Sequence, residues 1–203
     1  MEELKSFKDV RKAVGEPNPV ASKKIYDFLN DRMTHFITLS PLMMISTLDS
    51  QGFPTISPKG DVPGFVHVEN NKTLLVPELR GNKLAFSLHN ILEHNKVALI
   101  FLVPGTVESL RVHGRCRLIK ADDICKSFAS KSHNALLVME ITVTNAYFHC
   151  GKAFLRSKTW QPDTWAEKVK ISFGQEIAQN IDENSEFVEN LDAGVQARYI
   201  TDL

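Results

Sequence analysis

The spacing of apolar positions changes along the chain, and each change predicts a different kind of element. Up to about Phe36, Ile25, Phe28 and Leu29 recur at helical spacing with Ser22 as a candidate N-cap, which predicts a helical segment over 1–36. From Leu42 the period switches. "LMMISTLD" and "TLLVPE" have the apolar, β-branched content of buried strands and are set off by turn signals at "DSQG" and "ENNK". "NKLAFSLHNILEH" then places Leu84, Leu88, Ile91 and Leu92 at helical spacing without a breaker, so a helix is expected there. Strand patterns return in "VALIFLVP", "SLRVHGRCRLI" and "ALLVMEITVTNAYF". The second of these alternates, while the other two are apolar runs long enough for a core. After Gly151 the chain turns irregular and then helical around "ISFGQEIAQNI" and "ENSEFVENL". Strands dominate the middle and helices the ends, with no βαβα rhythm. The expectation is a mainly β, α+β fold: an antiparallel barrel of five or six strands with flanking helices. It forms one domain over 1–203, divided into a helical start at 1–36, a barrel core at 42–160 and a helical end at 161–203.

Composition narrows the partners more than the fold. Hydrophobic residues make up 43% and charged residues 24% of the chain, and no window is apolar enough for a membrane span. The start, "MEELKSFKDVRK", mixes acids and bases without the apolar stretch of a secretory signal, so a cytoplasmic location is expected. Lys plus Arg equals Asp plus Glu at 24 each, which leaves no net pull toward nucleic acid or an anionic membrane. An anion must therefore be held by a local cluster. Cys116, Cys125 and Cys150 form an odd set with no C-x-x-C pair, and this disfavours a disulfide framework and a zinc site. The seven histidines show no metal-ligand spacing, and no nucleophile stands beside a base. No metal is expected, and catalysis would fall to an organic cofactor.

Four stretches concentrate positive charge. "SPKGD", Ser57 to Asp61, sits in a proline- and glycine-rich interruption of the strand pattern and reads as a rigid turn that fixes the direction of Lys59, or as a hairpin with a solvated lysine. In "PELRGNK", Pro77 to Lys83, a strand ends and a helix begins. Arg80 can clamp a phosphate bidentately and Lys83 can add a point charge where helix N–H groups favour an anion, while Asn82 is alternatively a plain N-cap. "LRVHGRCRL" puts Arg111, His113, Arg115 and Arg117 on one strand face. Glu140 is an available cross-strand partner for Arg115 and Arg117, which leaves Arg111, nearest the strand start, to reach a ligand. In "HCGKAFLRSKTW", Arg156 and Trp160 offer a cation and a stacking surface, or ordinary packing.

Taken in order from about Leu42 to Trp160, "STLDSQGFPTISPKGDVPGFV", "TLLVPELRGNK", "NKVALIFLVPG", "SLRVHGRC" and "HCGKAFLRSKTW" resemble the flavoproteins related to pyridoxamine 5'-phosphate oxidase. The likeness is strongest to the subgroup with an S-P-K-G-D turn and an R-G-N loop. This resemblance implies an antiparallel split β-barrel that binds flavin mononucleotide (FMN) at the interface of a homodimer, with a small-molecule substrate or electron donor. By the same resemblance Ser57, Pro58 and Lys59 would line the flavin ring and ribityl chain, and Val76 and Pro77 would pass the ring. Arg80, Asn82 and Lys83 would hold the phosphate, Arg111 would contact the ring, and Arg156 and Trp160 would reach the flavin of the other subunit. The R-x-H-type C-terminal segment of true pyridoxamine phosphate oxidases is missing from "ENLDAGVQARYITDL", which argues against vitamin B6 oxidation. An FMN-dependent oxidoreductase is the first expectation. A non-catalytic flavin- or haem-binding protein on the same fold is the alternative, with His149 or His113 as axial ligand, and deazaflavin and biliverdin stay open as ligands.

Overall fold

The computed structural model describes residues 3–128, 134–181 and 184–202. Among them seven strands form one antiparallel sheet: β1 (Leu42–Leu48), β2 (Pro54–Gly60), β3 (His67–Asn70), β4 (Thr73–Glu78), β5 (Lys96–Leu102), β6 (Ser109–Ile119) and β7 (Leu137–His149). The helices are α1 (Phe7–Val14), α2 (Asp31–Leu39), α3 (Phe86–His94), α4 (Asp122–Ser127), α5 (Lys152–Ser157), α6 (Phe173–Ile181) and α7 (Ser185–Thr201). None is long and apolar enough to cross a membrane.

Hydrogen bonding orders the strands β2-β1-β5-β6-β7-β4-β3. In a flat sheet β2 and β4 would lie about 24 Å apart, five spacings of about 4.8 Å. Lys59 Nζ on β2 nevertheless stands 2.5 Å from Glu78 Oε2 on β4. The sheet is therefore curled on itself, and the chain has the split-barrel architecture with flanking helices. Alternate residues of β1 and β5 point inward, among them Met43, Ile45, Leu99 and Phe101, and they meet Leu74 and Val76 of β4 in a common core. Gly114 allows β6 and β7 to approach at a bulge: a Cβ there would lie 2.6 Å from both Ile141 Cγ2 and Thr142 O. α2 closes one end of the core with Met33 and Ile37, one turn apart. Its start is fixed by Asn30, whose Oδ1 accepts a hydrogen bond from Met33 N at 3.1 Å.

Four expectations need correction. The N-terminal segment is not helical through Ile25, Phe28 and Leu29. α1 stops at Val14, and Tyr26 exchanges two backbone hydrogen bonds with Ala146 of β7, which extends the sheet instead. The "SPKGD" stretch is not a turn: Ser57, Pro58 and Lys59 lie within β2, an edge strand bonded only to β1, where a proline lacking its N–H is tolerated. With β2 and the short β3 added, the strands number seven rather than five or six. The last correction concerns α3, which begins at Phe86, four residues after Asn82, so Leu84 lies outside it and Leu92 faces solvent. At the C-terminal end α6 and α7 pack against each other, with Gly174 close against the backbone of Val188. Both helices fall in the stretches expected to be helical, although Glu183 of "ENSEFVENL" lies outside the described residues.

Candidate functional site

Curling of the sheet opens a cleft of about 340 Å³ between the end of β2, the end of β4 and the first turn of α3. Ser57, Pro58, Lys59, Pro77, Arg80 and Asn82 all line it. Period-two alternation in β2 is the reason Ser57 and Lys59 turn the same way, with Thr55 below them. Thr55 and Thr47 share a 2.8 Å hydroxyl contact, and the buried Asn90 of α3 donates to both at 3.0 Å. Ser57 Oγ is 2.8 Å from Ser87 Oγ. These polar contacts pin α3 to β1 and β2 and so hold the first turn of the helix at the cleft.

That first turn is unusually open. Ala85 occupies the N-cap position with φ 56°, and no side chain caps the helix. The leading N–H groups of a helix have no intrahelical acceptor, so they face the cleft with partial positive charge. Lys83 is also left-handed, with φ 63°. Two non-glycine residues in this region cost about 1–3 kcal/mol each, a strain that tends to concentrate at ligand-binding segments. Asn82 Oδ1 accepts from Leu84 N at 3.0 Å, so Asn82 shapes the loop and does not cap α3. Arg80 is exposed at the cleft, and neither it nor Lys83 joins any ion pair among the described residues.

Lys59 is different. Its ammonium pairs with Glu78, and each side chain is only 17% exposed. Sequence reasoning missed Glu78, because its pairing depends on closure of the barrel rather than on any local pattern. Among the described residues, Glu78 is the only titratable side chain besides Lys59 and Arg80 that lines the cleft.

The remaining expected site residues stand elsewhere. The Val76 side chain is fully buried in the core. Lys83 belongs to the loop but not to the cleft lining. Arg111 lies on the outer face of β6, opposite Ile100 of β5 and Tyr147 of β7. It stands close enough to His149 that its charge, after burial, holds the His149 pKa below the ordinary value. Neither His113 nor His149 lines the cleft. Arg156 is exposed on α5, and Trp160 stacks on Phe154 at 5.9 Å while its Nε1 donates to Thr106 O at 2.9 Å. Arg117 is bound to Glu140 at 2.6 Å, as the cross-strand pairing predicted, whereas Arg115 is solvent-exposed and donates to the amide Oδ1 of Asn95 at 3.1 Å instead of to an acid. Cys116 is buried on the opposite face, and its thiol pKa is pushed up to about 12 by burial and by the nearby Glu140.

Three solved structures of similar fold can be set beside the chain. HupZ from Group A Streptococcus shares 20% identity over 59% of this chain and 93% of its own, with a TM-score of 0.49. A candidate pyridoxamine 5'-phosphate oxidase from Lactobacillus delbrueckii shares 25% over 60% and 95%, with a TM-score of 0.46. An FMN-binding protein from Syntrophomonas wolfei shares 11% over 70% and 95%, also at 0.46. No curated protein matches the chain. Residues 29–150, more than half of the chain, match the family model described as pyridoxamine 5'-phosphate oxidase, and they contain strands β1 to β7 and the residues that line the cleft. The chain belongs to the pyridoxamine 5'-phosphate oxidase family.

Proposed function

We propose that the chain is an FMN-dependent oxidoreductase that holds the cofactor phosphate at Arg80 and the first turn of α3, with the ring along Ser57, Pro58 and Lys59. The observation that carries this is the convergence on one cleft of an uncapped helix N-terminus and the Arg80 guanidinium, which joins no ion pair among the described residues. The residues suit a phosphate at one end and a flat, polar-edged ring at the other. A bound flavin supplies the electron-accepting ring; the protein contributes binding and orientation. Arg80 supplies a bidentate charge, the α3 N–H groups supply directed donors, and Ser57, tied to Ser87, presents a hydroxyl whose direction is fixed.

The site is completed by a second copy in this proposal. Leu42 and Met44 of β1 and Ile100 and Leu102 of β5 point away from the core and are partly exposed, and Ile56 of β2 is 70% exposed. Such an apolar outer face fits an interface between two identical chains. Arg111 sits in register with Ile100 on that face, and its contact with the ring is assigned by the family resemblance. Arg156, exposed on α5, and Trp160 are assigned to the other subunit's flavin by the family resemblance.

One observation favours a second reading, a flavin carrier without turnover: Glu78, the only acid lining the cleft among the described residues, is engaged by Lys59, which leaves no free carboxylate base among them. Titration of the apoprotein with FMN, followed by anaerobic addition of a reduced nicotinamide, separates the two. Bleaching of the flavin with multiple turnovers in the presence of an acceptor supports the oxidoreductase; tight binding without reduction by any donor supports the carrier.

A further inference from the structure

The Lys59–Glu78 pair joins the two elements whose meeting creates the cleft. Lys59 comes from the edge strand β2 and Glu78 from the last position of β4, at 2.5 Å, with both side chains mostly withdrawn from solvent. A lysine alone at this point would present a full positive charge to anything bound. Joined to Glu78 it presents an ion pair with no net charge, and Arg80 is left as the uncompensated cation of the cleft lining.

We propose that Glu78 is a positioning residue that neutralises Lys59, so that the pair, and not the lysine alone, sets the reduction potential of the bound flavin. The inference rests on the flavin reading above. Reduction adds negative charge to the ring, so a nearby cation favours the reduced form and a nearby anion opposes it. The partial burial of both groups limits screening by salt. Removing one partner therefore uncovers the charge of the other, and the two single substitutions act with opposite sign.

The test is a double-mutant cycle on the full chain, read as the midpoint potential of bound FMN. Glu78→Gln frees the Lys59 charge. It should favour reduced over oxidised flavin by about tenfold or more, which is about 30 mV upward for a two-electron couple. Lys59→Gln uncovers the Glu78 carboxylate and should shift the potential downward by a similar amount. The double variant, with no charge left unpaired, should return to the wild-type potential. Glu78→Asp keeps the charge and should stay close to wild type, which separates electrostatics from shape. Shifts of the same sign, no shift in Glu78→Gln, or a Glu78→Asp shift equal to that of Glu78→Gln would overturn the inference. Should one single variant fail to fold, the sign of the other still decides. A protein that takes up no flavin overturns the underlying reading, whereas one that binds flavin with a potential indifferent to these changes overturns only the role of Glu78.

Discussion

Replacing Arg80 by Ala removes an exposed guanidinium that is engaged by no carboxylate among the described residues, so no charged partner there is orphaned and the barrel should fold normally. What is lost is one charge acting on a phosphate that carries about −1.5 to −2 charges at neutral pH. Two unit charges 4 Å apart interact by about 1 kcal/mol in water and about 4 kcal/mol at an effective dielectric of 20. The exposure of Arg80 puts it toward the lower end, at about 1.5–2 kcal/mol, or roughly ten- to thirtyfold in Kd. Riboflavin has no phosphate and should change by less than about twofold on the same scale. Lys83→Ala serves as an internal comparison. Its side chain is outside the cleft lining, so its loss for FMN should be smaller than that of Arg80→Ala. The assay is quenching of flavin fluorescence by apoprotein at low and at physiological ionic strength, because an exposed charge weakens with salt. Equal losses for FMN and riboflavin, or an unchanged salt dependence in Arg80→Ala, would refute the phosphate assignment.

Other substitutions probe the scaffold. Asn90→Ala removes a buried hydrogen bond to Thr47 and a partly buried one to Thr55. It should destabilise the chain by about 1–3 kcal/mol, seen as a lower denaturant midpoint at unchanged slope; a midpoint equal to wild type would contradict the network's role. A Cβ at Gly174 would lie 2.5 Å from Val188 O, so Gly174→Ala should loosen the α6–α7 contact by about 1–3 kcal/mol. Hydrogen exchange in the two helices reads this directly, and unchanged protection would count against it. Asp192 accepts from Gly174 N at 2.8 Å, and hydrogen bonds from Ser172 and from that N–H hold its pKa below the ordinary carboxylate value. Its contribution is therefore complete above the unfolded pKa of about 3.9 and is lost as pH falls through the lower folded value. Asp192→Asn should flatten that acid limb in α6–α7 exchange protection; an unaltered limb would assign the acid sensitivity elsewhere.

Where local pattern controls structure, the sequence was legible. The apolar strands β1, β4, β5, β6 and β7 were all anticipated, as was the pairing of Arg117 with Glu140, and Ser57, Pro58, Lys59, Pro77, Arg80 and Asn82 were singled out among the residues that line the cleft. β2 was hidden because Pro54 and Pro58 signal interruption, and only the edge position, where one side of the strand needs no partner, makes them acceptable. The N-terminal residues Ile25, Phe28 and Leu29 have helical spacing, but the backbone of Tyr26 gains two sheet hydrogen bonds from Ala146, a tertiary effect with no local signature. Asn82 looked like a cap because its type and position fit one. Left-handed backbone at Lys83 and Ala85 moves the helix start past it, and neither residue type advertises that conformation. The Lys59–Glu78 pair, bridging an edge strand and a strand five places away in the sheet, requires the curvature of the whole barrel.

The central claim is that this cleft holds FMN, and the most direct measurement is the visible absorption spectrum of the purified protein together with identification of the chromophore released on denaturation. The account predicts flavin bands and release of FMN, restored when apoprotein is incubated with FMN and restored less well in Arg80→Ala. A colourless protein that takes up no added FMN, or a released chromophore that is not a flavin, would contradict it.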